Sequence, residues 1–253
     1  MTEMPMLNLP SVERVQFERN FIRTAACELR FPALLKLDSD PPIKIQQALR
    51  KEYPIYEIGA SLDIGPAGVD RSKIHRFVSK RKDWIVGLSS HSIVLVTTNY
   101  QNFEKFRERL QFLIDRAVPE LDTDFFTRVG LRYVNQIPIP ESTDWSELGE
   151  LINRDLIAPL IDGVYGLIGP SENTVRGRTE VGGYSFRHGM KPNPDKSTCY
   201  ELDFDWYTEN VSVDDTIELV SIFNEKNFQF FHWCLGHEAI ESLGKPSPKN
   251  EER

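Results

Sequence analysis

The sequence has only three cysteines, Cys27, Cys199 and Cys234, and they form no CxxC pair. Widely spaced thiols among apolar and aromatic neighbours are suited to burial, so no disulfide framework is expected. No apolar run approaches the roughly 20 residues that a membrane helix needs. The first residues, Met1-Thr2-Glu3-Met4-Pro5, show neither the basic nor the apolar region of a signal peptide, and the expected location is cytoplasmic. Excess positive charge is also missing. Thirty Lys and Arg against 38 Asp and Glu leave a formal charge of -8 and a pI near 5.3, which argues against a large footprint for nucleic acid or anionic membrane. The glycine patterns Gly163-x-x-Gly166-x-x-Gly169 and Gly177-x-x-x-x-Gly182-Gly183 lack the Gly-Lys-Ser/Thr ending of a phosphate-binding loop and do not fit a dinucleotide turn. They suit hairpin turns and bulges.

What is present is an ordinary globular composition over 253 residues, 40% hydrophobic and 27% charged, enough to bury a core without staples. Period-two alternation predicts a half-buried strand over 20–31, with Phe21, Ala25, Cys27, Leu29 and Phe31 on one side. A short helix over 43–53 follows, with Ile45, Ala48, Leu49 and Tyr53 inward. Strands over 55–64, 74–80, 84–89 and 93–98 form a meander with turns at 65–68, 82–83 and 89–90. Asn102 caps a helix carrying Phe103, Phe106, Leu110, Leu113, Ile114 and Ala117 at helical spacing.

A second series begins with a strand over 125–137 that contains Arg128-Val129-Gly130-Leu131-Arg132-Tyr133-Val134-Asn135. A helix over 143–156, including Trp145, is stopped by Pro159. Strands are expected over 163–168, 174–181, 184–190 and 199–207. A capping-box-like start at Ser212 and Asp215 leads into a last helix with Ile217, Val220, Phe223, Asn227, Phe231, Cys234 and Leu235 on one stripe. The N-terminal ten residues suit a loose arm or edge strand, and 245–253 a flexible tail.

Each series runs strand, short helix, meander, long helix, and Leu29-Arg30-Phe31 matches Leu131-Arg132-Tyr133. The expected fold class is therefore α+β. Two β-α-β(3–4)-α repeats, 1–120 and 121–244, would share one compact domain built on a curved antiparallel sheet, with long helices on one face. In topology this is similar to the TATA-binding-protein-like fold. The residues Glu28 to Pro32, the Trp84 strand, the Tyr100-x-x-Phe103-x-x-Phe106 helix start and the segment Arg128 to Asn135 resemble a sporadically distributed prokaryotic family of about this length, with the match spanning about residues 10 to 240. That family has no established activity. The resemblance implies a prokaryotic source and patchy occurrence, which suits an accessory part in phage defence or a mobile element, and it supplies no catalytic residues.

Alternation puts Arg128 and Arg132 opposite Val129, Leu131 and Tyr133, with Arg30 in the corresponding place of the first series. Such arginines, joined by Arg176 and Arg178, can grip a carboxylate, a phosphate or a protein partner. A cross-strand salt bridge is the plainer alternative. Glu201, Asp203 and Asp205 share one strand face but stand about 6.5–7 Å apart, too far for one ion without further help. Pairing with Arg176 and Arg178 is the preferred expectation for them. His232-Trp233-Cys234-Leu235-Gly236-His237, read as helical, puts its histidines off a common face and suits a structural role. The run Arg71, Lys73, Arg76, Lys80, Arg81 and Lys82, beside Phe77 and Trp84, is the alternative site, for nucleic acid. No catalytic residue, metal or cofactor is assigned. The sequence thus favours a non-enzymatic binding or accessory protein in complex with a protein partner or anionic ligand. Nucleic-acid association comes second, and a hydrolase or nuclease using the three carboxylates third.

Overall fold

In the computed structural model the described residues are 7–65, 68–140, 147–164, 166, 169–193, 195–244 and 246–247, and the side chains of 60–72 and 246–247 lie outside that description. The chain forms β1 (Gln16–Phe17), β2 (Ile22–Arg30), α1 (Lys36–Ser39), α2 (Ile43–Leu49), β3 (Ile55–Gly65), β4 (Gly68–Val78), β5 (Trp84–Leu88), β6 (Ser92–Thr97) and α3 (Phe103–Ala117). After a 3-10 turn at Val118–Leu121 come β7 (Phe125–Ile139), α4 (Leu148–Leu151), α5 (Arg154–Ile161), β8 (Asn173–Thr179), β9 (Gly182–Pro192), β10 (Thr198–Ser212), α6 (Thr216–Cys234), α7 (His237–Ser242) and β11 (Pro246–Ser247). The protein is α+β, with a large antiparallel sheet in the order β3-β4-β5-β6-β2-β7-β10-β9-β8 and a small pair β1-β11.

One compact unit comprises Thr24–Arg132 and Tyr207–Ser221. Its core follows from the alternation in β2, whose Ala25, Cys27 and Leu29 are fully buried and whose register sets Cys27 opposite Leu95 and Leu29 opposite Ile93 of β6. Helix α3 starts where the Asn102 side chain accepts a 2.9 Å hydrogen bond from the Lys105 amide, satisfying one of the orphan N–H groups of the first turn. Its buried face carries Phe103, Phe106, Leu110 and Leu113, and Phe106 packs 5.8 Å from Trp84. Each such side chain contributes about 1.5–3 kcal/mol by leaving water. Strand β4 starts at Gly68 rather than Ile74, because its ladder with β3 runs unbroken from Ile55 and Val78 to Gly65 and Gly68. Backbone pairing carries the polar stretch Asp70-Arg71-Ser72 into the strand. The turn residues Pro66 and Ala67 lie outside the described part.

The other unit comprises Met1–Arg23, Tyr133–Trp206 and Ile222–Arg253. Here α6 packs on β9 and β10, with Phe230 4.7 Å from Phe186 and 5.2 Å from Phe204. The phase of α6 differs by one residue from the sequence reading. Phe230 is 6% exposed, whereas Phe231 sits against Phe21 at 6.4 Å. The buried line through Phe223, Asn227, Phe230 and Cys234 advances by four, three and four, which follows the 3.6-residue period more closely than a step from Asn227 to Phe231. The long helix expected over 143–156 is replaced, from 147 on, by α4 and α5, with 141–146 outside the description. Between them Ile152 leaves helical conformation to bridge Leu235. Asn153 then caps α5 by accepting from the Asp155 amide. Pro159 lies inside α5 instead of stopping it, and the turn closes with the Asp162 amide on Ala158. Gly163 and Val164 form a turn instead of opening a strand, and Gly163 and Gly166 have φ of 68° and 66°, which glycine adopts without penalty. In the segment read as a tail, Pro246 and Ser247 pair with Phe17 and Gln16. The two units do not follow a boundary at residue 120, since β7 gives 125–132 to one and 133–139 to the other.

Candidate functional site

The sheet-face arginines have carboxylate company. Glu28 accepts from Arg30 at 2.9 Å and from Arg128 at 3.1 Å, and the Arg128 guanidinium lies 4.6 Å from the centre of the Tyr207 ring. A Cβ at Gly130 would meet that guanidinium at 2.6 Å, so glycine leaves the space in which Arg128 folds down. Arg132 is exposed on the same strand. Of the five arginines predicted to hold an anion or partner, Arg30 and Arg128 are bridged by the internal carboxylate of Glu28.

Arg176 and Arg178 are exposed on β8. They face Ser185 and Gly183 of β9 in register, and β9 separates β8 from β10. The expected pairing with the β10 carboxylates is corrected accordingly: Arg187 of β9 holds Asp203 by two contacts, 2.8 Å from Nε and 2.5 Å from Nη2, while Gln136 donates to Glu201 at 3.2 Å. Among the described residues no group of three His, Cys, Asp or Glu side chains can hold a metal ion. His232 and His237 are not on one helix, since α6 ends at Cys234 and His237 opens α7 beside Glu241 at 3.6 Å. Burial pushes the Cys234 thiol well above its ordinary value, the reverse of an activated nucleophile.

The basic run divides among several places. Arg76 meets Glu57 at 3.6 Å, and alternation puts Lys73 on the opposite face of β4. Arg71 falls where side chains are not described. Lys80, Arg81 and Lys82 occupy the β4–β5 turn. Phe77 is fully buried and Trp84 only 8% exposed, so neither offers a base the open ring face that single-stranded nucleic acid requires.

That turn is built by its own side chains. Ser79 donates to Asp83 at 2.8 Å and accepts from the Trp84 amide at 3.1 Å, while Thr97 donates to the Asp83 carbonyl at 2.9 Å. Lys82 takes the left-handed conformation at φ 60°. Burial alone would raise the Asp83 pKa. Hydrogen bonds from Ser79 and Asn99, its own backbone and the Arg109 charge outweigh it, and the carboxyl sits below its ordinary value.

Beside this turn a cleft of about 630 Å³ opens within the first-described unit. Lys80 and Arg81 line it from the turn, Lys51 from the end of α2, and Lys105 and Arg109 from α3. Lys105, Glu108, Arg109 and Phe112 recur at the spacing of one helix face. Three carboxylates, Glu52, Asp83 and Glu108, share the lining, so cations exceed anions by two. Arg109 stands 4.9 Å over Trp84 and 5.9 Å over Tyr53, aromatic contacts that hold a guanidinium in place, and lies 3.7 Å from Glu52. Sequence reasoning found Lys80 and Arg81 but missed Lys51, Lys105 and Arg109. The recurrence of 105, 109 and 112 was the available signal. No protein-family model and no curated protein matches the chain.

Proposed function

We propose that the protein is a non-enzymatic binding protein that takes an anionic ligand in the cleft of Lys80, Arg81, Lys105 and Arg109. One observation carries this reading: five cations from three separate elements converge on a concave lining that holds three carboxylates. Cationic side chains in a cleft stabilise a bound anion more than the same charges on an open surface, because the low-dielectric walls focus their field. The arginines of the sheet face are a weaker candidate, because Glu28 already lies between Arg30 and Arg128. Nucleic-acid association draws on the same Lys80 and Arg81, but the two rings beside them in the run, Phe77 and Trp84, are buried and offer bases no face to stack on.

The fold is, on this reading, an internal duplication. The matching tripeptides around Arg30 and Arg132 support it, as do the strand orders β2-β6-β5-β4-β3 and β7-β10-β9-β8, in which each opening strand lies beside the last strand of its own meander. The likeness to the TATA-binding-protein-like topology belongs to the same proposal. A protein partner and a prokaryotic defence or mobile-element setting rest on the family resemblance of Glu28 to Pro32 and Arg128 to Asn135.

The test is calorimetric titration of the full chain with inorganic phosphate and pyrophosphate. The wild type binds at least one of them, replacing Lys80, Arg81 and Lys105 together with Ala weakens binding more than tenfold at unchanged circular dichroism, and Arg30→Ala has no effect. Equal affinity of the triple variant and the wild type overturns the assignment.

A further inference from the structure

We infer that the β8 edge of the sheet docks an extended segment of a partner protein in which acidic and apolar residues alternate. This goes beyond the anion cleft and does not depend on it. Strand β8 ends the sheet order, so its outer row of N–H and C=O groups has no strand beyond it. The register with β9 runs from Asn173 and His188 to Thr179 and Gly182 without a skipped residue, and the strand contains no proline. Bulges and prolines are common means of closing an edge to an added strand, and this edge has neither. Residues 173–176 and 178 are exposed.

The two faces of the edge call for different side chains. Arg176 and Arg178 share one face, in register with Ser185 and Gly183 of β9. Among the described residues neither arginine is held by an ion pair or a side-chain hydrogen bond. By contrast, Arg187 of β9 is taken by Asp203, and on the sheet's other edge strand, β3, Glu57 is matched by Arg76. Val175 and Gly177 share the second face, in register with Phe186 and Tyr184. Val175 is 47% exposed. Glycine at 177 lets the Tyr184 ring lie across β8, since a Cβ there would meet that ring at 2.5 Å. A strand added to β8 continues the same alternation, so charge complementarity asks for carboxylates opposite the arginines and apolar side chains beside Val175 and the Tyr184 ring. Main-chain hydrogen bonds supply the affinity of such docking, and alternate side chains supply its selectivity. The same charges disfavour a second copy of β8 as the occupant. Antiparallel self-pairing centred on Gly177 sets Arg176 opposite Arg178 on both sides of the centre, and like charges directly opposite destabilise a strand pair.

The test uses the full chain and fluorescence anisotropy of an end-blocked, labelled peptide of repeating Glu-Val. The wild type should bind it about tenfold or more tighter than repeating Lys-Val, and tighter than a peptide of the same composition with Glu and Val in separate blocks. Arg176→Glu/Arg178→Glu exchanges two cross-strand ion pairs for two like-charge contacts. It should weaken Glu-Val about tenfold and turn the preference to Lys-Val, at unchanged circular dichroism, a gain that a misfolded protein does not give. Methylating the amide nitrogens of either the Glu or the Val residues should abolish binding for at least one of the two sets, because an added strand offers one row of amides to the edge. The Lys80/Arg81/Lys105 triple Ala variant should bind Glu-Val as the wild type does. Equal affinity for the alternating and block peptides, or unchanged binding by the double Glu variant, overturns the inference. Loss of binding in the triple variant also overturns it, by moving the acidic peptide to the cleft, and leaves the cleft reading in place. Tighter binding of an oligothymidylate that the double Glu variant abolishes gives the edge to nucleic acid instead. A wild-type dimer that the double Glu variant loses gives it to a second copy, and either result overturns the acidic partner.

Discussion

His188 shows what burial does to a single titrating side chain. It is 6% exposed, stacked 4.8 Å from Phe186, and its Nδ1 lies 2.7 Å from the Tyr200 hydroxyl. Burial lowers its pKa below the ordinary 6.5. The same cause comes first at His232 and at His75, where the Leu37 carbonyl opposes it and the Lys73 charge assists. A depressed folded pKa means that, between that value and 6.5, the unfolded chain binds more protons than the native one. The stability due to keeping these rings neutral is thus complete above 6.5 and lost as pH falls through the folded value. The urea midpoint should be level above about pH 7 and decline below about pH 6.5. His188→Gln, which keeps a polar group for Tyr200, should show a shallower decline. Parallel curves for the two proteins would remove His188 from the account.

At the scale of elements, the junction of α6 and α7 shows why some boundaries were legible and others were not. Helix α3 could be read from sequence because its cap at Asn102 and its apolar spacing are local. The break between α4 and α5 has no such signal, since Leu148, Leu151, Ile152 and Leu156 suit one continuous stripe. It exists because the chain near Ile152 meets the end of α6: Ile152 bridges Leu235, the Asn153 amide donates to the Cys234 carbonyl at 2.9 Å, and the Gly236 amide donates to the Leu151 carbonyl at 2.9 Å. Gly236 permits this approach. Its φ of -82° suits any residue, but a Cβ there would run into the backbone of Gly149 and Glu150. Backbone cannot swing aside as a side-chain tip can. Gly236→Ala should therefore destabilise the protein by roughly 2–4 kcal/mol, in the range of overpacking and broken hydrogen bonds together, as read from urea unfolding. A loss under about 0.5 kcal/mol would show that α4 shifts without cost.

For the whole molecule the governing quantity is charge, and here sequence and site diverge. A total of -8 argues against a broad polyanion footprint, yet it hides a local cationic excess assembled from residues as distant in sequence as Lys51 and Arg109. Lys80 and Arg81 stood out because they are neighbours in a run. Lys105 and Arg109 did not, because on an isolated helix they read as a solvated face. Tyr53, read as core from its helical spacing, is buried. The two-charge excess of the cleft also limits what a polymer can gain. Each phosphate neutralised on a single strand contributes about -0.7 to the slope of log affinity against log salt, so two give a slope no steeper than about -1.4. A strand laid along a true nucleic-acid groove with six phosphate contacts would give about -4. Fluorescence anisotropy of a labelled oligothymidylate between about 50 and 300 mM NaCl separates the cases. The cleft predicts weak binding with the shallow slope, and the Lys80/Arg81/Lys105 triple Ala variant abolishes it. A slope steeper than about -3 would mean that more phosphates are neutralised than the cleft's excess charge can account for, and would return the nucleic-acid reading to first place.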